Sequence, residues 1–264
     1  MDLLEDYGSD SSDDNDNDDK KAKIEEFPPR RIEIVPSQQA DPETFVRSTP
    51  HIVGNWAGYI YAAVPIKNEC LQDAMSESVV RFQHYLCQIR YPGNQLVSHL
   101  DHPTLHLSLS RHFALQLSSI ESFVEKLQKR LQLLPTTTIR LSSSEEILVN
   151  DDKTRSFWTW PIATNAALLA IVEEINAVLK IYNQLRYDPP KFHVSLASVV
   201  GDIIRHHVTN ANDSNDGFFK HGGPPADSNA TSTSATTEVH YIRVKEIECS
   251  FGTTKKYRIQ LKSK

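Results

Sequence analysis

Two six-residue stretches decide the fold of this chain: Leu105-His106-Leu107-Ser108-Leu109-Ser110 and, 87 positions further on, Phe192-His193-Val194-Ser195-Leu196-Ala197. Both stretches alternate apolar and polar residues, which predicts a β-strand with one face turned to the core. Because side chains alternate across a strand, each histidine shares a face with the serine two positions later, and the three apolar residues take the other face. Each stretch therefore presents an imidazole and a hydroxyl together on a strand that is anchored from behind.

The sequence around these two strands predicts a repeated set of helices and antiparallel strands. The expected elements are a strand over 55–65, a helix over 69–89, a strand over 105–110, a helix over 119–134, a hairpin of 138–148 with 155–162, a helix over 165–183 capped by Asn165, a strand over 191–197, and a final hairpin of 239–248 with 256–261. This order predicts an α+β fold of two pseudo-symmetric lobes with antiparallel sheets around a central cleft. Each lobe would supply one histidine strand to the cleft.

Composition separates a folded domain, expected over residues 50–264, from two low-complexity segments. Residues 1–26 are acidic and Ser-rich, and residues 209–237 are rich in Ser, Thr and Asn. Neither segment buries enough apolar area to offset its chain entropy, so we expect a disordered acidic tail and a disordered insertion. Nine acidic residues lie in the first 19 positions, which leaves 25 acidic against 28 basic residues in the rest of the chain. The formal charge of -6 therefore conceals a mildly basic domain, which permits a polyanionic partner.

Other features of the sequence favour a soluble intracellular protein without a metal or a cofactor. Three widely spaced cysteines predict neither a disulfide framework nor a zinc site. The acidic start does not resemble a signal peptide, and no apolar run approaches the ~20 residues that span a bilayer. His99 and His102 lack a third clustered ligand, so we expect them to be loop histidines rather than metal ligands.

The chemistry that needs two imidazoles and two hydroxyls on one surface is phosphoryl transfer without a metal. A ribose 2'-hydroxyl attacks the adjacent phosphate when a base removes its proton, and the leaving 5'-oxygen needs an acid. His106 and His193 suit both tasks, since the ordinary pKa of histidine is about 6.5. Ser108 and Ser195 would donate hydrogen bonds to the non-bridging phosphate oxygens. Either motif alone is more simply a half-buried strand histidine beside a serine, but the pair favours a shared phosphodiesterase site.

At these residues the sequence resembles the 2H phosphoesterase superfamily and, within it, the U6 small nuclear RNA phosphodiesterase family. The resemblance runs from about residue 50 to the C-terminus, apart from the insertion, and rests on GNWA at 54–57, HLSLS at 106–110, KTRSF at 153–157, YDP at 187–189, FHVSLA at 192–197, GD at 201–202 and the stretch 249–261. It implies two pseudo-symmetric lobes around a cleft. It also implies a nuclear 3'-to-5' exoribonuclease that trims the oligo(U) 3' end of U6 small nuclear RNA and leaves a 2',3'-cyclic phosphate or a 3'-phosphate.

The resemblance implies a role for single residues as well. His106 and His193 match the catalytic pair, and Ser108 and Ser195 match the phosphate-binding hydroxyls. Tyr187 matches the tyrosine that stacks on the terminal base, whereas without the resemblance a packing role would be favoured for it. Base stacking on an aromatic ring tolerates different bases.

Arg155 and Lys153 are candidates for RNA binding, although basic residues on a hairpin are more often simply solvated. The expected partner is an RNA with a uridine-rich 3' end, bound by a monomer. Two alternatives remain open: a 2',3'-cyclic phosphodiesterase that opens cyclic ends without shortening the RNA, and a non-catalytic RNA-binding module on the same fold. The residues do not decide which histidine is the acid and which is the base.

Overall fold

The computed structural model describes residues 32–39, 52–66, 68–102, 104–206 and 239–263. The two segments expected to be disordered, 1–26 and 209–237, lie outside these ranges. The main elements in chain order are β1 (Glu33–Pro36), β2 (Asn55–Pro65), α1 (Glu69–Gln88), β3 (Gln95–Ser98), β4 (Thr104–Ser108), β5 (Phe113–Gln116), α2 (Leu117–Leu131), β6 (Thr137–Ser142), β7 (Glu146–Val149), β8 (Arg155–Pro161), α3 (Ala166–Ile181), β9 (His193–Val200), β10 (Val239–Val244), β11 (Glu246–Phe251) and β12 (Lys255–Gln260). No helix in the described ranges is long and apolar enough to cross a membrane.

The three predicted helices are confirmed, and side-chain caps fix where two of them begin. The Asn68 carboxamide oxygen accepts a hydrogen bond from the Cys70 N–H at the start of α1. The Asn165 oxygen accepts from the Leu168 N–H at 2.9 Å, as expected for α3. Such caps satisfy backbone donors that have no partner within the helix.

The largest sheet in the described part of the chain has two halves that meet at the two motif strands. One half orders its strands β4, β2, β11, β12, with β5 also on β2, and the other surrounds β9 with β3, β1, β8 and β7. The halves join through one antiparallel residue pair, Leu107 opposite Val194. This arrangement confirms the predicted α+β fold with two lobes built on antiparallel strands.

The helices cover the sheet face that points away from the two histidines. The Phe82 ring of α1 stacks on the Trp158 ring of β8 at 4.6 Å, and both rings are fully buried. The indole N–H groups of Trp158 and Trp160 both donate to the Ser78 hydroxyl, at 2.9 and 3.1 Å. On the other half, α2 packs Phe123 against aromatic rings of β5 and β11. The core therefore lies behind both motif strands and holds them from one side.

The connections between the lobes cross over. The β7–β8 hairpin follows the first motif in sequence but pairs with β9, the strand of the second motif. The β11–β12 hairpin follows the second motif but pairs with β2, which lies beside β4. Each lobe is thus completed by the hairpin that follows the other motif, so the chain crosses between the lobes more than once.

Two predicted hairpins are wrong in their first strands. The expected strand 138–148 is two strands, because β6 pairs with β10 in a separate two-stranded sheet and only β7 pairs with β8. The expected strand 239–248 is likewise divided between β10 and β11. In both cases an apolar alternation continues through a change of partner, so hydrophobic periodicity alone does not mark the break.

Three short strands were not predicted, and one of them extends the folded unit. β1, β3 and β5 have four residues each, which is too short for a clear alternating pattern. β1 pairs in parallel with β3, and neighbouring Ile32 is 1% exposed in the core. Residues 32–39 thus pack with the folded unit, upstream of residue 50, where we expected the domain to begin.

Candidate functional site

The two histidine motifs lie side by side and present their polar residues on one face. Leu107 and Val194 are paired and fully buried, so the residues on either side of them point away from the core. The antiparallel register sets His106 opposite Ser195 and Ser108 opposite His193. A pseudo-twofold axis through the Leu107–Val194 pair exchanges the two motifs, since each histidine precedes and each serine follows the paired residue. All four polar side chains are at least partly exposed.

His193 has a fixed orientation. Its Nδ1 lies 2.8 Å from the Lys191 carbonyl oxygen, a hydrogen-bond acceptor, so Nδ1 carries a proton and Nε2 is the nitrogen that titrates. Burial lowers the pKa of His193, while the Lys191 carbonyl and the Glu146 carboxylate act in the opposite direction. The net pKa lies below the ordinary histidine value.

The His106 imidazole lies among aromatic rings. The Tyr61 ring meets it edge-on at 5.6 Å, and the Tyr59 ring lies 6.3 Å away. Burial lowers the pKa of His106, and the positive charges of His193 and His112 lower it further. Its imidazole is therefore more readily neutral than a free histidine at neutral pH, although the side chain remains exposed.

Tyr187 is linked to His193 through the backbone of Lys191. Its hydroxyl donates to the Lys191 carbonyl at 2.7 Å and accepts from the Lys191 N–H at 3.0 Å. That same carbonyl is the partner of His193 Nδ1. The backbone of Tyr187 is held in turn by the buried carboxamide of Asn176 on α3, which accepts from the Tyr187 N–H at 2.8 Å. The structure thus places Tyr187 beside the second histidine, half-buried at the edge of the site.

The two basic candidates of the β7–β8 hairpin differ in position. Arg155 is half-buried, and its Nη1 donates to the Ser198 hydroxyl at 2.9 Å on β9. Burial lowers the pKa of Arg155. Lys153 lies exposed at the hairpin turn with a φ of 58°. Arg155 therefore adjoins the motif strand, whereas Lys153 lies at the solvated end of the hairpin.

A β-bulge explains how Arg155 reaches β9. Trp158 pairs with Ala197 and Thr159 pairs with Ser195, so Leu196 is an extra residue in β9. The extra residue shifts the alternation, and Ser198, which pairs with Phe157, falls on the face opposite the Trp158 ring. Strict alternation from the motif would have set Ala197, rather than Ser198, on the same face as His193 and Ser195.

The described residues contain no group of three His, Cys, Asp or Glu side chains that could hold a metal ion. His102 is exposed and lies 3.9 Å from Asp101. His99 lies in the bend after β3, as expected for a loop histidine, and is half-buried near the site. Burial lowers its pKa to about 4, and the charges of His106 and Arg155 contribute.

Sequence reasoning missed three residues that shape this site. The sequence predicted Tyr59 and Tyr61 only as members of an apolar strand. That they share a face with His106 on the neighbouring strand follows only from the register of β2 and β4. Asn176 lies within a helix, where its 3% exposure marks a buried polar group that needs partners. The only sequence signal for Asn176 was a polar residue on an otherwise apolar helix face.

Two imidazoles and two hydroxyls converging on one open surface form an arrangement suited to proton transfer at an anionic group. The imidazoles have lowered pKa values, so each exchanges protons near or below neutral pH. The hydroxyls are donors for anionic oxygens, and no carboxylate belongs to either motif. A phosphodiester carries the negative charge that such donors suit.

Comparisons with known proteins find one matching family model and several relatives. A family model described as "HVSL: Uncharacterised conserved protein" matches residues 32–256, a span that begins just before β1. "U6 snRNA phosphodiesterase 1" of Drosophila melanogaster is 33% identical over 186 residues, which are 69% of this chain and 66% of that protein. The human protein of the same name is 30% identical over 159 residues, which are 60% of this chain and 56% of that protein. The matched part thus spans less than two thirds of these relatives.

One solved structure shows a similar fold. The "Structure of Kluyveromyces marxianus Usb1 with uridine monophosphate" superposes with a TM-score of 0.52 and covers 78% of this chain and 98% of that chain. Sequence identity is 13%, so the likeness concerns the fold alone. It supports the two-lobed fold that the resemblance implied.

Proposed function

We propose that this chain, which belongs to the HVSL family, is an RNA phosphodiesterase that removes nucleotides from the 3' end without a metal. One observation carries the proposal: the antiparallel pairing of Leu107 with Val194 brings both histidine motifs to one face. Neither a lone histidine strand nor an RNA-binding surface requires two imidazoles related by a pseudo-twofold axis. In-line transfer needs one proton-transfer group on each side of a phosphate, and two imidazoles related by this axis would supply them.

The proposed reaction is an in-line transfer of the phosphoryl group. One imidazole takes the proton from the 2'-hydroxyl of the penultimate nucleotide, and that oxygen forms a bond to phosphorus. The bond from phosphorus to the 5'-oxygen of the terminal nucleoside breaks, and the other imidazole gives this oxygen its proton. The shortened RNA ends in a 2',3'-cyclic phosphate, and water attack with the imidazole roles reversed would open it to a 3'-phosphate. His106 and His193 are the proposed catalytic residues.

The two serines are proposed to hold the non-bridging oxygens. Ser108 and Ser195 lie diagonally across the site, each opposite the histidine of the other motif. Their hydroxyls would donate to oxygens on which negative charge grows as the 2'-oxygen attacks. Tyr187 is the proposed stacking residue for the terminal base, and Arg155 a proposed contact for RNA phosphate. Lys153 remains a weaker candidate, because the solvated hairpin turn sets it apart.

The proposed substrate is the uridine-rich 3' end of U6 small nuclear RNA. Support comes from the relatives named "U6 snRNA phosphodiesterase 1" and from the similar Kluyveromyces marxianus structure, which was solved with uridine monophosphate. We further propose that the protein acts as a monomer in the nucleus, in the RNA processing that precedes splicing. The mildly basic charge of the chain beyond its acidic start is consistent with an RNA partner.

The test is the shortening of an oligouridine-tailed RNA with a terminal 2',3'-diol in the presence of EDTA. We expect stepwise shortening, and no cleavage when the penultimate nucleotide is 2'-deoxy, because that sugar supplies the nucleophile. H106A and H193A should each lose nearly all activity, since acid and base act as a unit. H84A is the matched control, because His84 is exposed on α1. Cleavage that requires added metal would overturn the proposal.

The same assay separates the leading alternative. A 2',3'-cyclic phosphodiesterase would open an RNA that already ends in a cyclic phosphate and would leave its length unchanged. Mass spectrometry of the products distinguishes the two activities and identifies the end group. Tight RNA binding with no product of either kind would instead indicate a non-catalytic binding module.

A further inference from the structure

A pair of stacked tyrosines lines the cleft face next to the first histidine. Tyr61 pairs with Ser108 in the register of β2 and β4, so Tyr59 and Tyr61 point to the same face as Ser108 and His106. Their rings stack at 4.9 Å between centroids and 18° between planes. The Tyr59 ring also lies 5.7 Å from the imidazole of His112, which is exposed. Aromatic rings thus extend from His106 along this lobe.

These two rings lie outside the hydrophobic cluster that fills the core. Neither Tyr59 nor Tyr61 belongs to that cluster or to the partly buried residues packed against it. Tyr61 is buried, with 9% exposure, whereas the apolar surface of Tyr59 stays half-exposed and needs another explanation. Its position beside His106 makes this surface available to whatever occupies the cleft.

The two tyrosines have different roles in the pair. The Tyr61 hydroxyl donates to the buried Glu248 carboxylate at 2.8 Å, so Tyr61 is fixed in place. Tyr59 rests against that fixed ring, and its hydroxyl has no hydrogen-bond partner among the described residues. Tyr61 therefore acts as a support, and Tyr59 offers a pre-oriented ring to a ligand. A pre-oriented ring loses little conformational entropy on binding.

We propose that Tyr59, supported by Tyr61, is a stacking site for the nucleobase on the 5' side of the cleaved phosphate. This inference rests on the proposed function. A phosphodiester joins two nucleosides, and Tyr187 adjoins His193 in the other lobe. The pseudo-twofold axis between the motifs sets Tyr59 and Tyr187 on opposite sides of the phosphate. The base at Tyr59 belongs to the nucleotide that supplies the attacking 2'-oxygen and keeps the cyclic phosphate.

The stacking site should accept any base and should set how firmly the retained strand is held. Stacking on an aromatic ring tolerates all four bases, and losing it weakens binding by about 5- to 150-fold. The Tyr59 hydroxyl adds one hydrogen-bonding group, which is too little to select a single base. The proposal therefore assigns Tyr59 to affinity for a nucleobase in general, not to the choice of uridine.

The experiment measures binding of an uncleavable oligouridine, 2'-deoxy at the penultimate nucleotide, and of the same oligomer with an abasic penultimate site. For the wild-type protein we expect the abasic probe to bind about 5- to 150-fold more weakly. For Y59L we expect the intact probe to bind as weakly as the abasic one, so the difference between probes disappears. Y59F should retain most of the difference, because it keeps the ring. Y241L is the matched control, since Tyr241 is 71% exposed on β10, outside the largest sheet.

Two results would overturn the proposal. The first is equal binding of the two probes by the wild-type protein, a comparison that does not depend on any variant folding. The second is a folded Y59L variant, judged by its thermal unfolding, that still discriminates between the probes as the wild type does. Failure of the proposed function gives a different pattern: the wild type leaves the all-ribose oligomer uncut, while the Tyr59-dependent difference in binding persists.

Discussion

The hydroxyl and the ring of Tyr187 have separable roles, and the substitution Y187F tests the first alone. Phenylalanine keeps the ring, so contact with a terminal base remains. It removes the bond to the Lys191 carbonyl at 2.7 Å and the bond from the Lys191 N–H at 3.0 Å. The first bond holds the carbonyl that orients His193, and the second holds the backbone N–H of the same residue, Lys191. The substitution therefore affects His193 indirectly, through the Lys191 carbonyl to which both side chains are hydrogen-bonded.

The expected size of the effect follows from the two lost hydrogen bonds. Each is worth about 0.5–1.5 kcal/mol net, so the loss of ordering at Lys191 amounts to about 1–3 kcal/mol. If the whole of this loss adds to the activation free energy, kcat falls by about 5- to 150-fold. The KM should change little, because the ring remains. Y187L removes ring and hydroxyl together and should also raise KM.

The assay compares initial rates of oligouridine shortening by the wild type, Y187F and Y187L over a range of RNA concentrations. Y182F is the matched control, since the Tyr182 hydroxyl bonds to Ser122 and touches neither histidine. The ¹⁵N chemical shifts of His193 give an independent measure, because the wild type should show the neutral tautomer protonated at Nδ1. A Y187F variant with wild-type kcat and an unchanged tautomer would refute the reasoning, and would leave Tyr187 a role through its ring alone.

Three further predictions concern charge, stability and pH. R155Q should weaken RNA binding and flatten its salt dependence more than K153Q does, because Arg155 adjoins β9 and Lys153 is solvated; equal effects in a salt titration would count against this. S78A should lower the free energy of unfolding by about 2–4 kcal/mol, since it leaves two buried indole N–H groups without their acceptor, and urea unfolding measures this. The maximum of kcat/KM should lie below about pH 6.5: a base with a lowered pKa stays neutral to lower pH, and an acid with a lowered pKa loses its proton earlier as pH rises. A maximum above pH 7 in a rate profile would contradict the lowered pKa values of His106 and His193.

The sequence alone determined the local structure and the chemistry of the site. Alternation of apolar and polar residues predicted both motif strands, and the helical spacing and the cap at Asn165 predicted α3. It also set each histidine on the same face as its serine, because that relation depends only on the two-residue period of a strand. These features are local, so a single stretch of residues contains all the information they need.

The tertiary structure decided which stretches meet. Nothing in the sequence states that Leu107 pairs with Val194, that hairpins cross between lobes, or that β6 leaves β7 to pair with β10. Pairing depends on the packing of both faces of the sheet, and one extra residue such as Leu196 reverses the facing of all that follows.

The two motif strands show this division most clearly. Their sequences defined an imidazole and a hydroxyl on each strand, but a pair of half-sites has no chemistry until the strands lie together. The positions of Tyr59 beside His106 and of Tyr187 beside His193 come only from the fold. Contacts between residues distant in sequence are fixed by the burial of the whole core, and local patterns do not encode them.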